Sequence, residues 1–394
     1  MQTFKNEAII NPDILVWARE SAGFRVEEAA KKAQLKSDKL VACEHGEQRL
    51  TITQLRKLSN VYKRPLAFFY LPKPPEPEID SSIQDFRRLN VGEEKQFSPE
   101  LRVEIRKIKY RREVAIEMFK ELEIEIPVFR LRTTSDSNVV EVGSQIRNFL
   151  EINQKHQAEI KNEYEALNYW REAVEAKGIL VFQATLNIDE MRGLSIAEFP
   201  LPIILVNRER VVKARIFTIL HELTHIMLRS VGVCDLETQS KIEVFCNAVA
   251  GEVLVPSEWL SKTEIYNQNR REEDWNKEAI WQLADYFSVS REVILRRLLT
   301  NQKISQSFYQ SKRYQWLKDY EKSQNTHTDK KSSGFAPPHT DAISKVGKNF
   351  TRLVVNSYYQ NKIGLSEVSD YLGVKTKHLP KIEQAVFGSM KNRS

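Results

Sequence analysis

The residues of this chain best suited to chemistry form the pattern His-Glu-x-x-His over positions 221–225. On a helix, His221 and His225 lie one turn apart on the same face, so both imidazoles can bind one metal ion. Glu222 is offset around the helix and would contact a water on the metal instead of the metal itself. The pattern therefore predicts a zinc site with Glu222 as general base, as a water-activating metallopeptidase needs. The alternative is a buried helix whose histidines are satisfied by hydrogen bonds.

A catalytic zinc ion takes three protein ligands and keeps a fourth position open, so a further ligand is expected on a nearby element. The next predicted helix, 241–256, has an apolar stripe formed by Ile242, Phe245, Val249 and Val253. Glu243 and Asn247 share a different face of this helix, so a carboxylate there can complete the site. Glu252 is the competing carboxylate. A closed structural zinc site would need a fourth ligand, and none is evident.

A helix and a small sheet must position these side chains. The run 215–228 is apolar over a broad face, which predicts a helix with one side buried. Two short apolar runs, 178–183 and 202–207, are rich in β-branched residues and bounded by Gly, Pro or Asn, so they predict buried strands. The expected fold class is α+β and mostly α, with an all-α N-terminal domain, a zincin-like domain that holds the small sheet, and a helical C-terminal region.

The N-terminal part of the chain predicts a helix-turn-helix module. Residues 13–70 read as short helices joined by short turns, including one over 38–44 with Ser37 as its N-cap. Residues 72–77 contain four prolines, which cannot continue a helix and favour an extended linker. Beyond this linker, a helix is predicted from Ser98-Pro99 to about Leu122.

The segments 18–24, 27–30 and 43–47 resemble the XRE-type helix-turn-helix of phage repressors. The resemblance implies a DNA-binding domain whose third helix meets the bases in a major groove. The candidate DNA contacts are Ser37, Lys39 and Arg49. Repressors of this type usually start the second helix with Gln, where this chain has Val26. They line the third helix with Gln, Asn or Arg, where this chain has Ser37, Asp38 and Lys39. The alternative is a helix-turn-helix fold that serves dimerisation or docking.

A second and more specific resemblance lies in the centre of the chain. The residues that carry it are Asn207, 191–195, 215–225, 243–250 and 252–256, and they are similar to the ImmA/IrrE family of bacterial metallopeptidases. The order of a helix-turn-helix, a Pro-rich linker and this central segment resembles the XRE-fused members of that family.

The resemblance implies Zn²⁺ bound by His221, His225 and Glu243, with Glu222 as the base. It implies as substrate a helix-turn-helix repressor that is cleaved in response to stress or DNA damage. The family usually has Gly before the second motif histidine, where this chain has Thr224, and the branched side chain is expected to narrow the site.

The predicted domains are a helix-turn-helix domain at 1–72, a Pro-rich linker and helical connector at 73–135, a metallopeptidase domain at 136–300, and a basic helical region at 301–394 with a mobile tether at about 319–341. The chain has 60 Lys or Arg and 53 Asp or Glu, a net charge of +7. Of this, 301–394 carries +9, 1–72 carries +4 and 73–300 carries −6. Phosphate contacts are therefore expected from the two terminal regions.

The composition also bounds the cellular setting. Three cysteines without paired spacing cannot build a disulfide framework, which favours a reducing, cytoplasmic environment. The N-terminus lacks the apolar run of a signal peptide, and no stretch approaches the roughly 18 apolar residues of a membrane helix. We therefore expect neither secretion nor membrane insertion.

The leading functional prediction is a zinc endopeptidase fused to a DNA-binding helix-turn-helix. It would cleave a repressor or antitoxin protein and so control transcription in stress, mobile-element or toxin-antitoxin circuits. DNA is an expected partner, and a homodimer is a candidate assembly. The alternative is a DNA-binding repressor or antitoxin in which the peptidase fold is a non-catalytic sensor or scaffold.

Overall fold

The computed structural model describes residues 7–75, 83–84, 97–160, 162–187, 191–208, 211–229, 236–269, 271–272, 275–326 and 336–388. The chain forms two compact units, and each is described separately below. The first comprises Met1–Ser81 with Asn90–Tyr110, and the second comprises Ser82–Leu89 with Arg111–Ser394. The predicted fold class, α+β and mostly α, is confirmed.

The first unit is helical. Its elements are α1 (Pro12–Ser21), α2 (Val26–Ala33), α3 (Ser37–Glu44), α4 (Ile52–Tyr62), a 3₁₀ helix (Leu66–Tyr70) and the first half of α5 (Pro99–Glu121). The turn between α2 and α3 is three residues long, and Gln34 begins it in the left-handed conformation with φ 57°. This is the connection that a helix-turn-helix requires. Helix α3 begins at Ser37 itself, because Lys36 takes the extended backbone of the N-cap position that was predicted for Ser37.

A partly buried ion pair joins α1 to α3 in this unit. The guanidinium of Arg19 donates from Nε to Glu44 Oε1 at 2.8 Å and from Nη2 to Oε2 at 3.0 Å. Such a two-point pair orients both helices, since the planar guanidinium matches the carboxylate only in one arrangement. It lies beside an apolar core that includes Leu15, Leu40 and Leu58.

The second unit contains a four-stranded sheet, in the order β1-β3-β4-β2. Its strands are β1 (Ile83–Gln84), β2 (Leu180–Ala184), β3 (Gly193–Ile196) and β4 (Ile203–Asn207). Strands β2 and β4 run parallel, whereas β3 is antiparallel to both β4 and β1. The two predicted strands are confirmed as β2 and β4. Strands β1 and β3 were not predicted.

Helices surround this sheet. They are α6 (Val139–Phe149), α7 (Gln154–Glu159), α8 (Glu163–Glu175), α9 (Val212–Leu228), α10 (Leu236–Leu254), α11 (Ser257–Ser261), α12 (Glu264–Gln268), α13 (Lys277–Tyr286), α14 (Arg291–Thr300) and α15 (Gln306–Thr326). Helix α9 lies at the centre, with 13 of its 17 residues buried, because it packs on β3 and β4 as well as on α8 and α10. It is therefore buried on more than the one side that the sequence predicted.

The contact between α9 and the sheet depends on a glycine. A Cβ atom at Gly193 of β3 would overlap the side chain of Thr218 and would lie 3.2 Å from the carbonyl oxygen of Leu205 and 3.3 Å from Glu222 Cγ. Only a residue without a side chain allows β3 to approach α9 this closely.

Four helices follow at the C-terminal end of the second unit: α16 (Pro338–Val346), α17 (Lys348–Tyr359), α18 (Leu365–Leu372) and α19 (Leu379–Phe387), with a 3₁₀ helix (Thr376–His378) before the last. The mobile tether predicted at 319–341 is wrong at both ends. Residues 319–326 belong to α15, since a polar stretch that includes Glu321, Lys322 and Gln324 can continue a helix, and Pro338 begins α16. Residues 327–335 lie outside the described part of the chain. None of the described helices is long and apolar enough to cross a membrane.

Candidate metal centre

Helix α9 carries both histidines and the glutamate of the central motif into the interior of the second unit. His221 is 0% exposed, while Glu222 and His225 are each 2% exposed. Thr224, which was expected to narrow the site, donates its hydroxyl hydrogen to the carbonyl oxygen of Leu220 at 2.9 Å within the same helix. Its polar group is therefore satisfied by its own backbone.

Helix α10 brings Glu243 to these histidines. The two imidazole Nε2 atoms of His221 and His225 lie 3.0 Å apart. Glu243 Oε1 lies 3.1 Å from His225 Nε2, and Glu243 Oε2 lies 3.5 Å from His221 Nε2. The three side chains form a group that could hold a metal ion, and the competing carboxylate Glu252 is not part of it.

The spacing of these three groups fits a zinc ion. Zinc bonds of about 2.0–2.1 Å at tetrahedral angles place any two ligand atoms roughly 3.3 Å apart. The three observed separations, 3.0, 3.1 and 3.5 Å, all lie close to that value. Nitrogen and carboxylate oxygen are also ligand types that zinc accepts. The donor set therefore suits zinc both in chemistry and in spacing.

The electrostatics of Glu243 agree with a ligand role. Burial alone would raise the pKa of its carboxyl group, but the hydrogen bonds and charges of His221 and His225 outweigh burial and lower this pKa to about 2. The carboxylate is therefore ionised at neutral pH. Its side chain keeps 21% of its surface exposed, so Glu243 is also the most accessible of the three groups.

Glu222 is held by a residue that the sequence did not single out. Ser195 of β3 donates its hydroxyl hydrogen to Glu222 Oε2 at 2.9 Å, and both side chains are buried. The resemblance had drawn attention to 191–195 only as a segment between two strands. The available signal was a serine in the segment that packs against α9. Recognising it as a partner of Glu222 requires the position of β3, which the sequence did not predict.

Asn207, another residue of the resemblance, binds the backbone of the segment that connects β2 to β3. Its side-chain nitrogen donates to the carbonyl oxygens of Leu186 and Asn187 at 3.2 Å and of Met191 at 3.1 Å. Its side-chain oxygen accepts from the backbone N–H of Leu186 at 3.3 Å. Asn207 thus fixes both ends of the connection that leads from β2 into β3.

Glu252 lies outside this group and has a structural role. Its carboxylate accepts hydrogen bonds from the backbone N–H and hydroxyl of Ser257, at 2.8 and 2.9 Å, and from Arg297 of α14. Arg297 also donates to the carbonyl oxygen of Val255 at 2.9 Å. Glu252 lies near the end of α10 and Arg297 lies on α14, so this buried ion pair joins the two helices.

The buried pair predicts a large effect on stability. Replacement Arg297→Met leaves the Glu252 charge buried without its partner and should lower the free energy of unfolding by about 3–5 kcal/mol. Urea unfolding measures this loss. Its neighbour Arg296, whose partner Glu292 lies at the surface, provides the control, and Arg296→Met should cost less than about 1 kcal/mol. Equal losses in the two variants would contradict a structural role for the buried pair.

The three candidate DNA contacts all lie in the first unit. Ser37 and Lys39 occupy the first turn of α3 and are partly buried. Arg49 is exposed, follows α3 by five residues, and places Nη1 3.9 Å from Glu7 Oε2. All three residues therefore lie in the same unit as the helix-turn-helix formed by α2 and α3.

Comparison with known families agrees with the central part of the second unit. Residues 174–299 match the model of a peptidase family described as IrrE N-terminal-like domain. The matched range begins at the end of α8 and extends through β2–β4, α9 and α10 to α14, so it contains the whole His-His-Glu group. A search of curated proteins finds no match. The match indicates a zincin-like peptidase domain at the place where the three candidate ligands meet.

Proposed function

We propose that the protein is a zinc-dependent endopeptidase. The observation that carries this proposal is the meeting of His221, His225 and Glu243 at the spacing of zinc ligands, beside a buried Glu222. The match of residues 174–299 to a peptidase family supports it.

The residues divide the work as follows. His221, His225 and Glu243 would hold the metal, which supplies Lewis acidity for a carbonyl and acidifies water. Glu222 accepts a proton from the attacking water and delivers it to the leaving amine nitrogen. Ser195 holds one oxygen of this carboxylate, so the base keeps a single orientation throughout.

We further propose that the substrate is a helix-turn-helix repressor or antitoxin protein, and that its cleavage controls transcription in stress, mobile-element or toxin-antitoxin circuits. Support comes from the helix-turn-helix geometry of α2 and α3 in the same chain. We propose with it a cytoplasmic location, DNA as a partner and a homodimer as a candidate assembly.

The test is incubation of zinc-loaded protein with repressors encoded beside its gene, with cleavage followed by mass spectrometry. Zinc at one equivalent per chain together with cleavage supports the proposal. DNA binding by a zinc-loaded protein that cuts none of these repressors would favour a repressor whose peptidase fold is a sensor.

The hydrogen bond to Glu222 makes a second prediction about activity. Ser195→Ala should lower kcat by about 10- to 100-fold, the usual effect of losing a partner that orients a group at a metal site, while zinc content stays at one equivalent. Peptide cleavage assays with metal analysis measure both. Ser369→Ala, which removes a hydroxyl bonded at 2.9 Å to the carbonyl oxygen of Val374, is the matched control and should leave kcat unchanged. A similar kcat in both variants would show that the Ser195 hydroxyl does not orient Glu222 for catalysis.

Positive charge at the C-terminal end makes a prediction about DNA. Lys375, Lys377 and Lys381 are exposed around the start of α19. Desolvation and the charges of Lys377, His339, Lys381 and Lys375 lower the pKa of His378. Such a group suits phosphate contacts.

Changing these three lysines to Gln should reduce the slope of log affinity against log salt by about 2 to 3, because each phosphate contact contributes roughly 0.9. A labelled DNA duplex titrated at several salt concentrations measures the slope. Gln at Lys155, Lys262 and Lys277, in the acidic part of the chain, gives the same change of charge. If both triple variants keep the original slope, the C-terminal lysines make no phosphate contacts.

A further inference from the structure

Strand β3 has two edges, and its inner edge is used by the sheet. Gly193, Leu194, Ser195 and Ile196 pair with Val206, Leu205, Ile204 and Ile203 of β4, respectively. The outer edge pairs with β1, where Ile83 stands opposite Ile196 and Gln84 opposite Ser195. Because β1 ends the sheet order, it covers the side of β3 that would otherwise form the edge of the sheet.

The outer edge of β3 runs past the proposed general base. Ser195 binds Glu222 Oε2 at 2.9 Å, and the Cα of Gly193 packs beside the Glu222 side chain. A peptide bond attacked by water that Glu222 activates must lie next to this carboxylate. Extended peptides commonly bind by adding a strand to a sheet edge, where main-chain hydrogen bonds hold them. The outer edge of β3 is the edge beside Glu222 that could receive such a strand.

A substrate of the proposed peptidase would pair along this outer edge, and we propose that Ile83–Gln84 of the same chain is the resident occupant of that edge. This proposal rests on the proposed peptidase function. Gln84 lies opposite Ser195, the residue that binds the base, so the resident strand covers the part of the edge that a substrate strand beside Glu222 would use. Substrate and resident strand therefore compete, and the enzyme is latent while β1 is in place.

The pairing between β1 and β3 is short enough for a substrate strand to displace β1. Within the described residues, β1 pairs with two of the four residues of β3, and so short a ladder contributes little stability by itself. A substrate strand that pairs along all four residues makes more main-chain hydrogen bonds and can displace it. The chain on either side of Ser82–Leu89 belongs to the first unit.

The experiment uses the full chain, loaded with zinc and carrying Glu222→Gln so that bound peptide is not cut. Its probe is a fluorescein-labelled synthetic peptide that copies residues 79–88, followed by fluorescence anisotropy. Adding Ile83→Pro and Gln84→Pro removes two backbone N–H groups and prevents strand pairing. We expect the proline variant to bind the peptide at least about tenfold more tightly than its parent, because a tethered occupant competes at high effective concentration.

The matched control is Ile83→Val with Gln84→Thr, which keeps both N–H groups and the preference for strands. It should bind the peptide as weakly as the parent. Equal affinity in all three proteins, or no binding by the proline variant, would overturn the proposal. Hydrogen exchange adds a readout independent of the probe: the β3 amide that points to β1 instead of β4 should exchange faster in the proline variant alone, and unchanged exchange there also overturns it.

The same peptide separates this proposal from the proposed function. In proteins that retain Glu222, cleavage of the peptide by the proline variant and its slower cleavage by the native chain support both. Tighter binding by the proline variant without any cleavage supports the resident strand and counts against the peptidase. Equal cleavage by the two proteins supports the peptidase and refutes the resident strand.

Discussion

Replacement Glu222→Gln should lower the rate of peptide cleavage by about 10²- to 10⁴-fold, the range that a positioned general base contributes. Gln has the same shape as Glu and its side-chain oxygen can still accept the hydrogen bond from Ser195, so the fold around β3 and α9 is retained. What is lost is the ability to take a proton from water. Zinc should remain at one equivalent per chain, because the ligands are other residues.

Two measurements decide the role of Glu222: cleavage of a repressor substrate, and zinc by mass spectrometry. Glu113→Gln, an exposed position on α5, makes the same chemical change away from the site and should leave both unchanged. Loss of zinc together with activity in Glu222→Gln would make Glu222 a metal ligand. Full activity would exclude it as the base.

Replacement Glu243→Ala should weaken zinc binding by more than about 100-fold, which exceeds the 10- to 100-fold effect of losing a residue that merely orients a ligand. The variant leaves two histidines on one helix, and these cannot form a three-ligand site. Activity should be lost because the metal is lost, whereas in Glu222→Gln it is lost with the metal present.

Thermal unfolding with and without zinc gives an independent measurement of this loss. A ligand at 100 times its dissociation constant stabilises a folded protein by about 2.7 kcal/mol, so zinc should raise the Tm of the native chain. It should raise the Tm of Glu243→Ala much less. Glu264→Ala, on α12 outside the His-His-Glu group, is the control and should respond like the native chain. An unchanged zinc response in Glu243→Ala would show that Glu243 is not a ligand.

Local patterns in the sequence were enough to predict the motif helix and the face that its two histidines share. His221 and His225 are four residues apart on a segment with helical periodicity, so their common face follows from helix geometry alone. The buried strands β2 and β4 were also predictable, because each is a continuous apolar run bounded by residues that break strands.

Features that depend on distant contacts were harder to predict. Strand β3 is four residues long and includes a glycine and a serine, so its pattern is weak without the pairing to β4. Glu243 and Glu252 were both candidate ligands, since either lies on a helix that could face α9. The structure shows that Glu252 is satisfied elsewhere, by Ser257 and by Arg297, which lies 45 residues further along the chain. The predicted start of the tether at residue 319 was wrong for another reason: polar composition does not distinguish a polar helix such as α15 from a loop.

The path of the chain between the two units also limits how the protein can be divided. Ser82–Leu89 belongs to the second unit, although the residues before and after it belong to the first, so the backbone passes from one unit to the other three times. A truncated protein that starts at Arg111 therefore loses β1 along with the first unit. Its β3 would present a bare row of backbone N–H and C=O groups, which is a template for pairing with another molecule. Removal of the first unit is thus expected to produce a protein that self-associates, unless the truncated protein retains Ser82–Leu89.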